Sequence, residues 1–369
     1  MSTCAVEGYM FGERLKIARR KAGLSLRGLA DAMEPPISAQ AISKYESNEM
    51  MPSSRVLFGL GKALGVSLDF LMAGQVQELA GVEFRKHSGT SARDRARVEA
   101  VVTEELESYL TIEDILDLPA GDDPFASVRC ENVDSYEEAE ALADRLRAEW
   151  DLGNDPIPSM TGLLEEKGIK VIAADFPDSV SGLTCEVRRT GGRPDTSAIV
   201  IASSINVERK RFTLAHELAH RVVQGVAGDG LRLETAMNRF AGAFLVPSDH
   251  LRQEVGAQRH GIAYREIMQL KHFYGVSAAA ILMRLGTAGI LPETAVTYAF
   301  RTFARRWRSE EPEPIEDDIG LGAFERPARF QGLVYRALAE ELISPARAAQ
   351  LLKRPLPEIE LGVRGPRES

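Results

Sequence analysis

Apolar residues recur at helical spacing along most of the chain, and strand-like runs are confined to one stretch near its middle. Phe11 to Leu71 divides into five short helical patterns. Leu15, Ile17, Ala18 and Leu24 form the first stripe. Ser25 reads as the cap of a helix over Leu26–Met33, Pro35-Pro36 breaks it, and Ser38 opens another over Ala39–Glu46. Val56, Leu57, Leu60 and Leu64, then Val66–Leu71, complete the set. Residues 76–90 hold Gly81 and Ser88-Gly89-Thr90 with few large apolar residues after Phe84, which predicts a linker. From Ser91 to Leu118 a stripe of Val98, Val101, Val102, Leu106, Tyr109, Leu110 and Ile115 predicts a long helix, able to pack on a twin or on its own chain. Ser135 caps a further helix that runs to Trp150.

Leu163–Lys167 ends a helix at Gly168, and Ile169–Ala173 follows as a strand. Thr184–Val187 and Ser197–Ile201 read as a hairpin around Thr190-Gly191-Gly192. Its sheet edge could pair with an extended peptide. Helical patterns then dominate. They include Leu233–Val246, stopped by Pro247, the pair Tyr264–Tyr274 and Ala278–Leu285, and a last pair at Phe330–Leu342 and Ser344–Leu352. The Ala/Ile/Leu-rich second helix of the 264–285 pair suits core packing better than DNA. Ala299–Arg308 is basic and aromatic, which fits an exposed helix face as well as an acidic partner or DNA. Arg308–Gly322, rich in Glu, Pro and Asp, predicts a mobile connector. The expected class is α+β, mainly α with a small β-sheet.

The amino-terminal helices carry one chemical signal. A helix, a short turn and a second helix can place that second helix in a major groove, and Arg14, Lys16, Arg19, Arg20 and Lys21 flank the first apolar stripe. Gly23-Leu24-Ser25, Leu29-Ala30, Ile42-Ser43-Lys44-Tyr45-Glu46, Pro52-Ser53 and Leu64-Gly65-Val66-Ser67 together resemble the XRE/Cro-type helix-turn-helix family, over nearly all of the first seventy residues. The resemblance implies a recognition helix starting at Ser38, with Ala39, Gln40 and Lys44 facing base edges. Ser43 and the basic residues of the first helix would meet phosphates. Two departures stand out. Leu26 replaces a common Gln at the start of the second helix, and the turn Glu34–Ile37 is longer than usual. A helical bundle that packs a protein partner is the alternative.

The second signal is His216-Glu217-Leu218-Ala219-His220. Positions i and i+4 share a helix face, so His216 and His220 can aim two imidazoles at one cation. Glu217 is rotated about 100° away and is suited to water as a general base. In the following helix Glu234 would complete a His2Glu donor set, and Asn238, one turn on, could bond a ligand imidazole and fix its tautomer. A surface or core histidine pair is the bland alternative.

The run Arg209-x-Arg211-Phe212 to His220, with Glu234-x-x-x-Asn238-x-Phe240-Ala241 and Leu245-Val246-Pro247, resembles the ImmA/IrrE family of metallo-endopeptidases. That resemblance implies a gluzincin-like zinc peptidase acting on a regulatory protein, typically a repressor, with Zn²⁺ on His216, His220 and Glu234 and with Glu217 as catalytic base. Ala219 and Met237 depart from the more common Gly and Ala. Gly225, Gly228 and Gly230 would permit a tight return between His220 and Glu234. His250, His260, His272, Tyr264 and Tyr274 are candidate oxyanion donors.

Composition narrows the setting. Cys4, Cys130 and Cys185 are isolated, no apolar run is long enough for a bilayer, and no signal-peptide pattern opens the chain. A cytoplasmic protein with reduced thiols and no membrane contact is expected. The net charge of −9 argues against nucleic-acid binding by the whole surface. Double-stranded operator DNA would therefore meet a local patch, doubled if the protein is a homodimer. The expected layout is a five-helix DNA-binding domain at 8–75, a linker and helical connector at 76–133, a peptidase domain at 134–290 and a helical extension at 291–369. The functional expectation is a DNA-binding transcriptional regulator with a zinc endopeptidase that cleaves a repressor or other regulatory protein. Its alternatives are a transcription factor whose peptidase-like domain only senses or dimerises, and an antitoxin-like autorepressor.

Overall fold

In the computed structural model, which describes residues 3–66, 68–72, 74–81, 92–119, 121–176, 181–190, 192–307 and 309–364, the chain opens with five helices. These are α1 (Thr3–Lys21), α2 (Leu26–Ala32), α3 (Ala39–Glu46), α4 (Ser54–Leu64) and α5 (Leu68–Met72). Ser25 and Ser38 cap α2 and α3 as expected, their hydroxyls accepting from Gly28 N and Ala41 N. Phe11, Leu15, Leu29, Ile42, Leu60 and Leu71 form the core of this head. α1 and α3 cross closely at Gly12, where a Cβ would lie 2.5 Å from Glu46 O. Arg19 fastens the crossing with bonds to both Glu46 oxygens, at 2.5 and 2.8 Å.

The basic first helix is spent mostly on folding. Arg14 is buried and donates to Glu107, Lys21 pairs with Glu104, and Arg19 is taken by Glu46. The expected phosphate role therefore narrows to Lys16 and Arg20. A buried guanidinium needs a counter-charge more than a surface one does.

The body is built on a sheet of β1 (Val76–Ala80), β3 (Lys170–Ala174), β4 (Gly182–Arg189) and β5 (Thr196–Ala202), in the order β1-β4-β5-β3. β3 and β5 are parallel and the other pairs antiparallel, so the expected hairpin is present as β4–β5. Residues 76–80, expected as linker, instead form an edge strand, since Val76 is buried and the ladder with β4 satisfies the backbone. Ser88-Gly89-Thr90, the helix start at Ser91, and Ser67, Gly191 and Arg308 lie outside the described residues.

The expected long helix is α6 (Ala92–Ile115), and it packs on its own chain. Val98, Val102, Leu106 and Leu110 meet Ile172, Leu183, Cys185 and Val200 on one face of the sheet. Between α6 and the sheet strands come β2 (Cys130–Val133), α7 (Tyr136–Glu149) and α8 (Met160–Glu166). The other face of the sheet, through Val171, Ile199 and Ile201, joins the cluster of Leu214, Ala215 and Leu218 on α9 (Val207–Val222). β6 (Val223–Val226), α10 (Leu233–Leu245), α11 (Ser248–Val255), α12 (Tyr264–Tyr274), α13 (Ala278–Thr287) and α14 (Glu293–Arg301) follow. α12 and α13 serve the core, with Ile267, Tyr274, Ile281, Leu282 and Leu285 buried.

The carboxy-terminal part departs from expectation. Ala304 and Trp307 of the basic aromatic tract are buried in the main core, while Arg301, Arg305 and Arg306 stay exposed. Beyond them the chain is pinned along α9 and is no free connector. Glu311 pairs with buried Lys271 at 3.1 Å and accepts from Ala278 N, and Ile315 N donates to Glu208 at 2.9 Å. Past α15 (Leu321–Phe324), the helices α16 (Arg329–Ala339), α17 (Pro345–Leu352) and α18 (Leu356–Arg364) pack on Tyr109 and Ile112 of α6 and on Leu116 just beyond it. α18 was not foreseen.

Arg211 on α9 is wholly buried with Glu325, whose carboxylate also accepts from Met160 N and Thr161 N. Arg211→Ala leaves that carboxylate uncompensated and should destabilise the protein by about 3–5 kcal/mol. Chemical denaturation checks this; a loss below about 1 kcal/mol would show that the pair is not what holds the segment.

Candidate metal centre

α9 forms because Asn206 caps it, accepting from Arg209 N at 2.9 Å, and because its following residues include no Gly or Pro. Nearly all of it is buried, including Glu208, Lys210, Arg211, His216 and Glu217. The i, i+4 spacing does what the sequence implied. The Nε2 atoms of His216 and His220 lie 3.2 Å apart.

α10 brings Glu234 to the same point, its oxygens 3.5 Å from His216 Nε2 and 3.7 Å from His220 Nε2. One donor atom from each of the three residues falls within 4.8 Å of the others. His216 is wholly buried, whereas the Glu234 side chain is 53% exposed, so the centre is closed on the α9 side and open at the α10 rim. Asn238, one turn on from Glu234, places Oδ1 3.0 Å from His216 Nδ1. That contact holds the proton on Nδ1 and leaves the Nε2 lone pair facing the shared point. Two imidazole nitrogens and one carboxylate converging this way are the N,N,O donor set that suits zinc.

Several neighbours set these positions. Arg239 on α10 donates to Glu140 on α7 at 2.5 Å, and Arg284 on α13 donates to the other Glu140 oxygen at 2.7 Å. The return from α9 to α10 is not a plain loop. β6 runs straight on from α9 and pairs in parallel with β2. A Cβ at Gly225 would lie 2.4 Å from Asn132 Oδ1, and one at Gly228 2.5 Å from Asp134 O. Those glycines permit a close approach to β2, while Gly230 supplies a positive φ of 76°.

Glu217 is 3% exposed and lies beneath the start of β4. A Cβ at Gly182 would be 2.6 Å from Thr213 Cγ2 and 3.5 Å from Glu217 Cγ, so that strand comes close to the helix only as glycine. Ala219 and Met237, the two departures from the family pattern, are buried in the main core.

The expected oxyanion candidates find other partners. His250 Nδ1 and Tyr274 Oη lie 2.8 Å apart, Tyr264 bonds to Glu313, and His260 and His272 are exposed. Burial pushes the Tyr274 phenol well above its usual range. In the head, Ser38, Gln40, Ser43 and Lys44 lie on the exposed face of α3, with Ala39 half-buried and Ile42 and Tyr45 turned inward. The residues expected at DNA thus share one accessible face. Sequence reasoning missed Glu140, the β2–β6 pair and the burial of Glu208 and of Arg211, the latter named only as part of the family-like run.

Residues 164–286 match the family described as the IrrE N-terminal-like domain, peptidase family M78, and residues 15–71 match a helix-turn-helix family. The chain joins a helix-turn-helix domain of the XRE type to an IrrE-like peptidase-family domain. The front is 43% identical over 65 residues to an uncharacterized HTH-type transcriptional regulator, YonR, derived from the SPbeta prophage of Bacillus subtilis, covering 18% of this chain and 58% of that one. The body is 28% identical over 183 residues to the radiation response metalloprotease IrrE of Deinococcus deserti, covering 41% of this chain and 63% of the relative. The chain thus spans about three fifths of the length of each of these relatives. Among the described residues no helix is long and apolar enough to cross a membrane.

Asn238→Ala should weaken binding of a divalent metal at this centre about 10–100-fold by freeing the His216 ring. Competition with a chromophoric chelator measures this, and an unchanged affinity would remove Asn238 from the site.

Proposed function

We propose that the protein is a DNA-binding transcriptional regulator whose IrrE-like domain is a zinc-dependent endopeptidase acting on a regulatory protein such as a repressor. The observation that carries this reading is the convergence of His216, His220 and Glu234, with a second carboxylate, Glu217, buried beside them on α9. A purely structural zinc site has no use for that extra carboxylate. When bound, zinc supplies a Lewis acid that acidifies water and polarises the scissile carbonyl.

Glu217 takes the proton from the attacking water and passes it to the leaving amine. Asn238 keeps His216 in the tautomer whose Nε2 is free. The open rim at Glu234 admits an extended segment of a protein substrate. The alternative reading of the body as a sensor without turnover shares the donor set and differs only in Glu217, so one variant separates the two. Glu217→Gln should retain stoichiometric zinc while proteolysis falls at least about 100-fold. Glu234→Ala should lose the metal as well. Cleavage that survives Glu217→Gln would sink the mechanism.

The head reads double-stranded operator DNA through Gln40 and Lys44 at base edges, with Ser38, Ala39 and Ser43 alongside. Gln40→Ala should cost about 1–3 kcal/mol on the cognate operator and relax preference at one base pair. Gel-shift titration against randomised sites tests this, and an unchanged preference rejects α3 as the reading helix.

A further inference from the structure

We propose that the open rings of Tyr264 and Phe303, set among exposed arginines, form a docking surface for single-stranded DNA. The two rings share one support. The Tyr264 ring lies 6.1 Å from that of Trp307, and the Phe303 ring meets Trp307 edge-on at 5.4 Å. Trp307 is buried, yet Tyr264 is 41% and Phe303 47% exposed. Tyr298, 66% exposed, adds another open ring one turn before Arg301 on α14. A buried tryptophan thus holds large rings at the surface, where the core gains little from them. Apolar patches kept open in this way mark binding surfaces.

The charge around the rings is positive and loosely held. Arg301 and Arg305 are exposed and have no carboxylate partner among the described residues. Arg306 meets Glu310 at 2.8 Å and Arg265 meets Glu313 at 3.6 Å, with all four side chains exposed. Surface pairs of this kind contribute little. Tyr264 also donates to Glu313, at 3.3 Å. Glu310 and Glu313 are therefore the carboxylates that a phosphate must displace, whereas Arg301 and Arg305 are open to one at once.

Single-stranded DNA is the partner that uses both features. Its bases offer flat faces to the rings, and its phosphates meet the guanidinium groups. A duplex keeps its bases stacked inside, so Tyr264 and Phe303 would have nothing to stack on. An acidic peptide would satisfy the arginines and leave the rings bare. The helix-turn-helix head supplies the setting. A chain held on DNA meets an opened strand of that DNA at high effective concentration. Only the choice of DNA over RNA rests on the reading of the head.

The test uses the full chain and a fluorescein-labelled twelve-nucleotide oligothymidylate, followed by anisotropy. Phe303→Leu keeps an apolar side chain but removes the flat ring, and it should weaken binding about tenfold. Tyr264→Leu should do the same, and Phe303→Trp should keep the affinity. Thermal melting checks that each variant is folded. Arg305→Gln should make the slope of log K against log salt shallower by about 0.7. An abasic strand of the same length should bind about tenfold more weakly than the oligothymidylate. Absence of binding overturns the proposal, and so does binding that both leucine variants leave unchanged. Equal affinity for the abasic strand or for an oligoglutamate peptide would show a plain anion site and overturn it too. Tighter binding of oligouridylate would overturn the assignment to DNA. None of the substituted residues belongs to the metal centre or to α3, so failure here leaves the proposed function standing.

Discussion

α9 carries charged and polar groups into the interior, and the rest of the body is arranged to make that tolerable. Glu208, Arg211, His216 and Glu217 occupy a single buried helix, and an unmatched charge in such a place costs several kcal/mol. Glu208, Arg211 and His216 each have an answering group drawn from distant sequence. Lys271 and the amide of Ile315 answer Glu208, Glu325 and two carbonyls answer Arg211, and Asn238 answers His216. The segment from Glu311 to Glu325 lies against α9 for this reason. Of its acidic residues, Glu325 is the counter-charge of Arg211 on that helix and Glu311 pairs with buried Lys271, the partner of Glu208.

The sheet translates that constraint to the other side of the molecule. One face packs on α9 and the other on α6, so the strands are covered twice and read as nearly continuous apolar runs. β1 departs from this, with Gln77 and Glu78 exposed, and so does the far end of β4. The start of β4 must be Gly182 to pass Thr213 and Glu217, and its end carries Arg188 and Arg189, which bond to Glu78 on β1 and to Asp114 on α6. The same strand thus touches the candidate centre at one end and the junction with the head at the other.

Much of this was legible in the sequence, and what was not shares a physical cause. Helix existence followed from local periodicity and from Ser25, Ser38 and Ser135, because capping and amphipathicity act within a few residues. The convergence of His216, His220, Glu234 and Asn238 was legible for the same reason, since each pair lies one turn apart on a helix and only one approach, of α10 to α9, had to be supplied. Pairings across long separations were not. Nothing near Val76 announces Arg189 as its partner, and nothing near Glu107 announces Arg14. The glycines at 225 and 228 were noticed but given the wrong reason: they make room for β2, not merely for a turn.

The head shows how a correct family likeness can still mislead about individual charges. A run of basic residues on the first helix looks like a phosphate-binding face, and in an isolated helix-turn-helix domain the long-range field would favour that use. Here Arg14, Arg19 and Lys21 are each consumed by a carboxylate of the same chain, two of them from α6. The positive charge left for DNA sits on half-buried Lys16 and on exposed Arg20, Arg27, Lys44 and Arg55, which are more widely spread. With a net charge of −9 over the whole molecule, such a head gains little from non-specific attraction. On the proposed reading, discrimination then comes from the α3 side chains assigned to base edges and from how firmly the body holds the head in place. The Arg14–Glu107 contact, which also takes the amides of Gln75 and Val76 at the root of β1, is one place where the body holds the head.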